Sequence, residues 1–362
     1  MLELLRPACV EPVRSLPANL AVGSRINVVI CCVSGMKAAV LLLAWRRPGT
    51  TRQVIEAIRA YAPERIYVAC DGPNPARPGE DQKVLATREV VRHEIDWPCQ
   101  IKHLYSDSNL GCCQGVSKAI SWFFDQEVEG IILEDDCVPH PDFFLYCELL
   151  LERFRDDERV WCISGNNFQD GQWRGDGSYY FSRYPHCWGW ASWSSRWRHY
   201  DALLSNWPTF VECDLLSSLF SDPHERSYWA QIWWQTYLES IYATTWDYQW
   251  TFLCIANNGL TALPNRNLVS NIGFGVDATH TINKLDSEHL SHGLGPVKHP
   301  SLPLRDELAD RYTFEHHIAG QKMRQEASLT ARLITPVLSR LRRASKSPLR
   351  ALAKVRELPH FL

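Results

Sequence analysis

The sequence predicts an α/β fold, a mostly parallel sheet flanked by helices, continuing into a half richer in helices and aromatic residues. Three observations carry that expectation. From Ala38 to Ser164 short apolar runs alternate with helix-length segments, the pattern of strands joined by crossover helices. Polar residues follow the carboxyl end of run after run, where open α/β sheets bind ligands. One run, Ile131-Ile132-Leu133, ends in Glu134-Asp135-Asp136, a concentration of negative charge that is costly unless something positive meets it.

Taken in order, Ala38–Trp45 reads as a buried parallel strand. Arg46-Arg47-Pro48-Gly49-Thr50 breaks it, and Thr51–Tyr61 has helical spacing. Arg65–Cys70 is a second strand, closed by Asp71-Gly72-Pro73, and Gln82–Glu94 a helix. Gln100–Tyr105 is a strand, Gly111–Gln126 helical, Gly130–Leu133 a strand, Pro141–Arg155 helical, and Val160–Ser164 the closing strand. The strand ends carry Arg46, Asp71, Asp107 with Asn109, Glu134–Asp136, and Ser164 with Asn166. Each alone is an ordinary loop residue; five in succession point to one site. After Gly165 the pattern changes. Tyr179–Tyr184 reads as a strand or hairpin arm, His186–Tyr200 is rich in Trp and Gly, and helices follow at Asp214–Phe220, Glu225–Tyr242 and Asp247–Asn258.

With 362 residues, 45% of them hydrophobic, the chain can bury a large core as one big α/β unit or two smaller domains. A net charge of −3 leaves no footprint for nucleic acid. The 13 cysteines are scattered, without CxxC or zinc spacing, which fits reduced thiols in a cytoplasmic protein better than a disulfide framework. The apolar stretch Ile26–Trp45 raises the question of a membrane span, but Lys37 interrupts it and its second half is needed in the sheet. Glu3 and Glu11 stand where a signal peptide would be basic. Residues 1–35 read as a poorly ordered extension before a natural start at Met36-Lys37. Residues 36–166 then form the ligand-binding half, 167–291 the other half of the same domain, and 292–362 a basic helical tail. From Lys322 to Arg356 that tail has ten Lys or Arg against one Glu, with Leu329, Leu333, Val337 and Leu341 at helical spacing. Such a helix lies peripherally on the inner face of a cell membrane, or packs as a solvated helix on its own domain; Pro336 and Pro348 limit its length.

Asp and Glu oxygens are hard ligands suited to Mg2+ or Mn2+, which keep coordination sites free for substrate phosphates. A solvated acidic loop is the competing reading of residues 134–136. The preceding strand and the helix start at Pro141-Asp142-Phe143-Phe144 favour the cation.

The stretch Gly130–Asn166, GIILEDDCVPHPDFFLYCELLLERFRDDERVWCISGN, resembles the GT-A glycosyltransferases of the N-acetylglucosaminyltransferase I type and related bacterial nucleotide-sugar transferases. There a strand ends in an E-D-D form of the D-x-D motif, P-D-F-F opens a helix, and W-C-[IV]-S opens the next strand. Weaker similarity extends over Lys37–Thr281. It touches YPHCWGWASW (Tyr184–Trp193), similar to an aromatic-glycine loop near the donor sugar, and TWDYQW (Thr245–Trp250), similar to a W-D-x-W element. NIGFGVDATHT (Asn271–Thr281) is similar to a loop closing over the diphosphate.

The resemblance implies a GT-A, Rossmann-like fold and a metal-dependent, inverting transfer from a nucleotide-diphosphate sugar, UDP favoured, to a hydroxyl of a glycan or glycolipid. Asp136 would ligate Mn2+ or Mg2+ with His280, and Glu134 and Asp135 would contact the ribose or donor sugar. Arg46 would lie by the nucleotide, Asp71 would hold the uracil, and Asn109 and Gly111 would shape the turn beside the phosphates. Trp188 and Trp190 would stack on sugar, with core packing as the alternative. Asp247 would be the catalytic base, its aromatic neighbours raising its pKa towards a useful range; a helix N-cap is the plainer reading, and Asp201 and Glu239 are weaker candidates for the base. Two other classes compete. A nucleotidyltransferase needs a glycine-rich basic loop after the first strand, whereas Trp45-Arg46-Arg47-Pro48-Gly49 lacks the glycines. A non-catalytic nucleotide-sugar-binding protein is disfavoured by the intact acids.

Overall fold

The computed structural model describes residues 37–273 and 290–328. Residues 1–36, His280 with most of its loop, and the stripe Leu329–Leu341 of the basic tail lie outside them. The first half alternates as the apolar runs dictate: β1 (Ala39–Ala44), α1 (Pro48–Tyr61), β2 (Arg65–Cys70), α2 (Glu80–Glu94), β3 (Gln100–Tyr105), α3 (Gly111–Phe124) and β4 (Glu129–Glu134). All four strands are parallel, in the order β3-β2-β1-β4.

β1 shows why these runs are apolar throughout. Val40 and Leu42 face one layer, with Val54, Ile55 and Ile58 of α1, while Ala39, Leu41 and Leu43 face the other, with Ala119, Ile120 and Phe123 of α3. A strand covered on both faces has no solvent side to make polar. The fit on the α3 side is close: a Cβ on Gly130 would stand 2.3 Å from Phe123, so this strand position has no room for a side chain. No helix among the described residues is long and apolar enough to cross a bilayer.

The second half adds antiparallel pairings to the mostly parallel sheet. β5 (Cys137–Pro139) and α4 (Pro141–Phe154) follow β4, then β6 (Val160–Ser164), β7 (Tyr179–Ser182) and β8 (Trp190–Trp193). β8 inserts antiparallel between β4 and β6, and β9 (Leu260–Pro264) runs parallel to β6, with β7 antiparallel at the edge. The result is one mixed eight-stranded sheet with helices on both faces. Because β8 comes from residues past 167 yet joins β4 to β6, the two halves of the sequence share a single sheet. β10 (Val269–Asn271) pairs with β5 beside the acidic turn.

α5 (Ser194–Trp197) follows β8, and α6 (Trp207–Glu212), α7 (Leu215–Leu219), α8 (Pro223–Glu239) and α9 (Asp247–Ala256) form a helical annex around Trp207, Trp229, Trp233 and Phe252. The start of the supposed basic tail also needs correction. Lys298 accepts from the Ser178 amide, Asp306 donates to Phe181, and α10 (Glu307–Thr313) brings Asp310 into a buried position beside β7. The segment 290–313 therefore belongs to the folded unit.

Candidate active site

The carboxyl ends of β1 to β4 and the first turn of α3 enclose a cavity of about 570 Å³. Its floor is set by the acidic turn. β4 ends at Glu134; Asp135 accepts from the Trp45 amide at 3.1 Å and from Arg47 at 2.5 Å; Asp136 pairs with the same guanidinium at 2.7 Å. Gly273 closes the turn from the β10 side, where a Cβ would come within 2.0 Å of Asp136 Oδ2. Burial pushes Glu134 above the usual carboxylate range, and the negative charges of Asp136, Asp135 and Asp247 add to that, while Arg47 opposes it. Asp135 is raised chiefly by burial against the pull of Arg47. Burial opposes the charge on Arg47, but Asp135 and Asp136 together hold its pKa above the ordinary value. Arg47 thus faces three carboxylates.

Arg46, expected at the nucleotide, is turned elsewhere. It pairs at 2.9 Å with Glu80, which is buried at the start of α2 and needs a cation there, and its guanidinium lies 4.3 Å from the Trp45 ring. The cavity wall holds Trp45, Arg47 and Arg77 in its place. Asp71 and Asn109 do reach the wall. The Asp71 carboxylate accepts from the amides of Gly72, Leu110 and Gly111 and from Asn109 Nδ2 at 2.9 Å. Burial raises Asp71, and the amides of Leu110, Gly72 and Gly111 pull it back. These bonds fasten β2 to the first turn of α3 and give the turn at Gly111 its shape.

Trp188 and Trp190 part company. Trp188 is half-buried and lines the cavity, its amide donating to Asn166 Oδ1 at 3.0 Å. Trp190 is fully buried among Trp197, Trp246 and Trp250, so for it core packing is the correct reading. Gly189, with φ of +72° and a Cβ position 2.7 Å from Val269, makes the turn between them. Ser164 and Asn166 are buried behind this loop, positioning it without lining the cavity.

Asp247 is half-buried in the first turn of α9, and Trp246 holds the N-cap position, so the N-cap reading is corrected by one residue. Thr245 Oγ1 donates to its carboxylate. Its charge reaches Glu134 and the Cys112 thiol of the cavity wall. Residues Tyr242, Ala243 and Thr244, just before it, form part of that wall. Asp201 folds back on the amides of Leu203 and Ser205, and Glu239 accepts from Gln235; neither lines the cavity. The sequence signals for Trp45, Arg47 and Arg77 were weak, because only adjacency to a strand end marks the first two. Tyr242 gave no signal of its own.

No family model matches the chain, and no curated protein does. Among solved structures it is similar to HddC from Yersinia pseudotuberculosis, at 10% identity over 44% of this chain and 77% of that one, with a TM-score of 0.26. A UDP-glucose pyrophosphorylase complexed with UDP-glucose matches at 8% identity, over 45% and 71%, with a TM-score of 0.27. The glycosyltransferase GlyE of Streptococcus pneumoniae matches at 12% identity, over 53% and 40%, with a TM-score of 0.23. Likenesses this slight assign neither fold family nor activity.

Proposed function

We propose that the protein is a glycosyltransferase of GT-A architecture that moves a sugar from a nucleoside-diphosphate donor to a hydroxyl of a glycan or glycolipid. One observation carries the reading. A cavity at the carboxyl ends of four parallel strands has a carboxylate cluster on its floor, and a separate carboxylate, Asp247, approaches from the helical annex. The first suits a charged donor and the second an acceptor.

A divalent ion at this site would need oxygen donors. Among the described residues no group of three or more His, Cys, Asp or Glu could hold one. Asp136, with Glu134 beside it, nevertheless suits Mg2+ or Mn2+ of the kind held by one or two carboxylates plus substrate phosphates. Such an ion would supply Lewis-acid stabilisation of the leaving diphosphate. Arg47, now bonded to both aspartates, would release one of their oxygens to it and turn its own charge towards the phosphates. Trp45 and Trp188 offer ring faces to base and sugar, and the loop pinned by Asp71 holds the first amides of α3 at the cavity. Asp247 takes the proton from the acceptor hydroxyl as that oxygen attacks the anomeric carbon, and a single displacement gives inversion.

The test is a panel of nucleotide sugars with and without Mn2+, following released nucleoside diphosphate. Release from one donor, abolished by chelation, supports the reading. Formation of a nucleotide sugar from nucleoside triphosphate and sugar phosphate would replace it with a nucleotidyltransferase.

A further inference from the structure

The outer surface of α8 is unusual for a solvent-facing helix. Its exposed positions are Pro223, Ser227, Gln231, Trp234, Gln235 and Leu238, and none is charged. An exposed helix face ordinarily carries Lys, Arg, Glu or Asp. Here Trp234 is 45% exposed and Leu238, one turn on, 65%. The Gln235 amide donates to Glu239 at 2.9 Å, which leaves its carbonyl oxygen towards solvent.

The face leads to the cavity. At Ser240 the backbone takes a φ of +54° and ends the helix, and the chain then reaches the cavity wall at Tyr242, which is 82% exposed. Leu238 and Tyr242 are separated by no more than ~14 Å of extended chain. Five residues beyond Tyr242 comes Asp247. A ligand lying along α8 therefore has one end at the cavity rim, near the carboxylate proposed as the base.

We infer that the Trp234–Leu238 face of α8, continued by Tyr242, is the platform for a neutral oligosaccharide acceptor. This rests on the transferase reading above and names its acceptor class. Apolar sugar faces stack on Trp and Tyr and rest on Leu, while the Gln231 and Gln235 amides serve the hydroxyls. The charge pattern sets the sign of the partner: the carboxylate at the platform is Glu239, held by Gln235, and an anionic glycan would call for Lys or Arg beside the rings. It also argues against a lipid surface, which selects helices with cations flanking the apolar stripe.

The experiment measures calorimetric binding of the full chain to neutral tetrasaccharides of glucose and of N-acetylglucosamine, to a sulfated tetrasaccharide, and to phosphatidylcholine vesicles with and without phosphatidylserine. Wild type is expected to bind at least one neutral tetrasaccharide, and Trp234→Ala to weaken it roughly ten-fold, the scale of one lost aromatic stack. Leu238→Ala is expected to weaken it less. Thermal midpoints of both variants check that the fold survives. Neutral binding unchanged by either variant, absence of neutral binding, or variant-sensitive binding to vesicles or the sulfated sugar would overturn the platform. Donor hydrolysis by wild type without acceptor tests the transferase reading separately, so either idea can fail while the other stands.

Discussion

Two groups of buried carboxylates in this molecule differ in how their charge is balanced. Asp310, brought in by α10, accepts from Ser182 Oγ at 2.5 Å, pairs with Arg305 at 2.5 Å and lies 3.7 Å from Arg183. Burial raises its pKa, and Arg305, Ser182 and Arg183 all pull it down. At Glu134 the balance is reversed: after burial come Asp136 and Asp135, which add to the rise, then Arg47, which opposes it, and Asp247, which adds again. The Asp310 group is closed, with two carboxylates, Asp310 and Glu225, matched by two arginines, Arg183 and Arg305. The 134–136 turn is open, with three carboxylates and Arg47 in contact with two of them. A buried charge left unbalanced inside a cavity is where a charged ligand stabilises most, so the contrast separates a structural tie from the site proposed for the donor.

The largest effect expected concerns the proposed base on the acceptor side. Asp247→Asn keeps the shape and the Thr245 contact but removes the proton acceptor, and turnover should fall by roughly 10²–10⁴ while calorimetry shows donor binding retained. Turnover near wild type would move the base elsewhere.

The closed and open groups should answer truncation oppositely. Asp310→Ala takes the carboxylate from Arg305 and the Ser182 hydroxyl while Arg183 keeps Glu225, and denaturant titration should show a loss of roughly 3–5 kcal/mol. Asp136→Ala relieves repulsion at the open turn, so its stability should change by less than about 1 kcal/mol. It should nevertheless lose Mn2+-dependent binding of the nucleoside diphosphate. Equal destabilisation by both substitutions would erase the distinction, and unchanged diphosphate affinity would sink the role of Asp136.

Next in size, Mn2+ with nucleoside diphosphate should raise the melting midpoint of wild type. At a hundred-fold excess over Kd the gain is about 2.7 kcal/mol. Asp310→Asn, if folded, should keep that gain and Asp136→Asn should lose it; a gain surviving in Asp136→Asn would place the ion elsewhere.

What the sequence made legible follows the same division. β2 and β6 stand where their apolar runs end in breakers, because strands buried on both faces have no competing pattern. β8 was hidden: its Trp190 and Trp193 sit in a Trp- and Gly-rich run whose loop residue Trp188 looks alike, and only the turn at Gly189 separates core ring from cavity ring. β5 and β10 have three residues each, too few for periodicity. At the site, the acids and Asp71 were legible as strand-end residues. The choice between Arg46 and Arg47 was not, since it depends on Glu80, thirty-four residues away and buried by tertiary packing. The aromatic-to-cavity path through Tyr242 likewise exists only once Ser240 turns the chain.

The smallest effect is a pH slope that checks the closed group from another side. Burial holds the Asp310 pKa above its ordinary value in the folded protein. As pH rises past the unfolded value, the native state keeps this proton longer than the unfolded chain does. The unfolded state then binds fewer protons, so the contribution of Asp310 to stability falls with rising pH until the folded group has also ionised. One group can contribute at most about 1.4 kcal/mol per pH unit, and the amount here is smaller because Arg305, Ser182 and Arg183 oppose burial. Denaturant midpoints of wild type and Asp310→Asn between pH 4 and 7 isolate the term: the difference in stability between them should drift with pH in the wild type's disfavour. A drift in wild type's favour would mean that the two arginines outweigh burial and that the closed group is held even more firmly than its geometry implies.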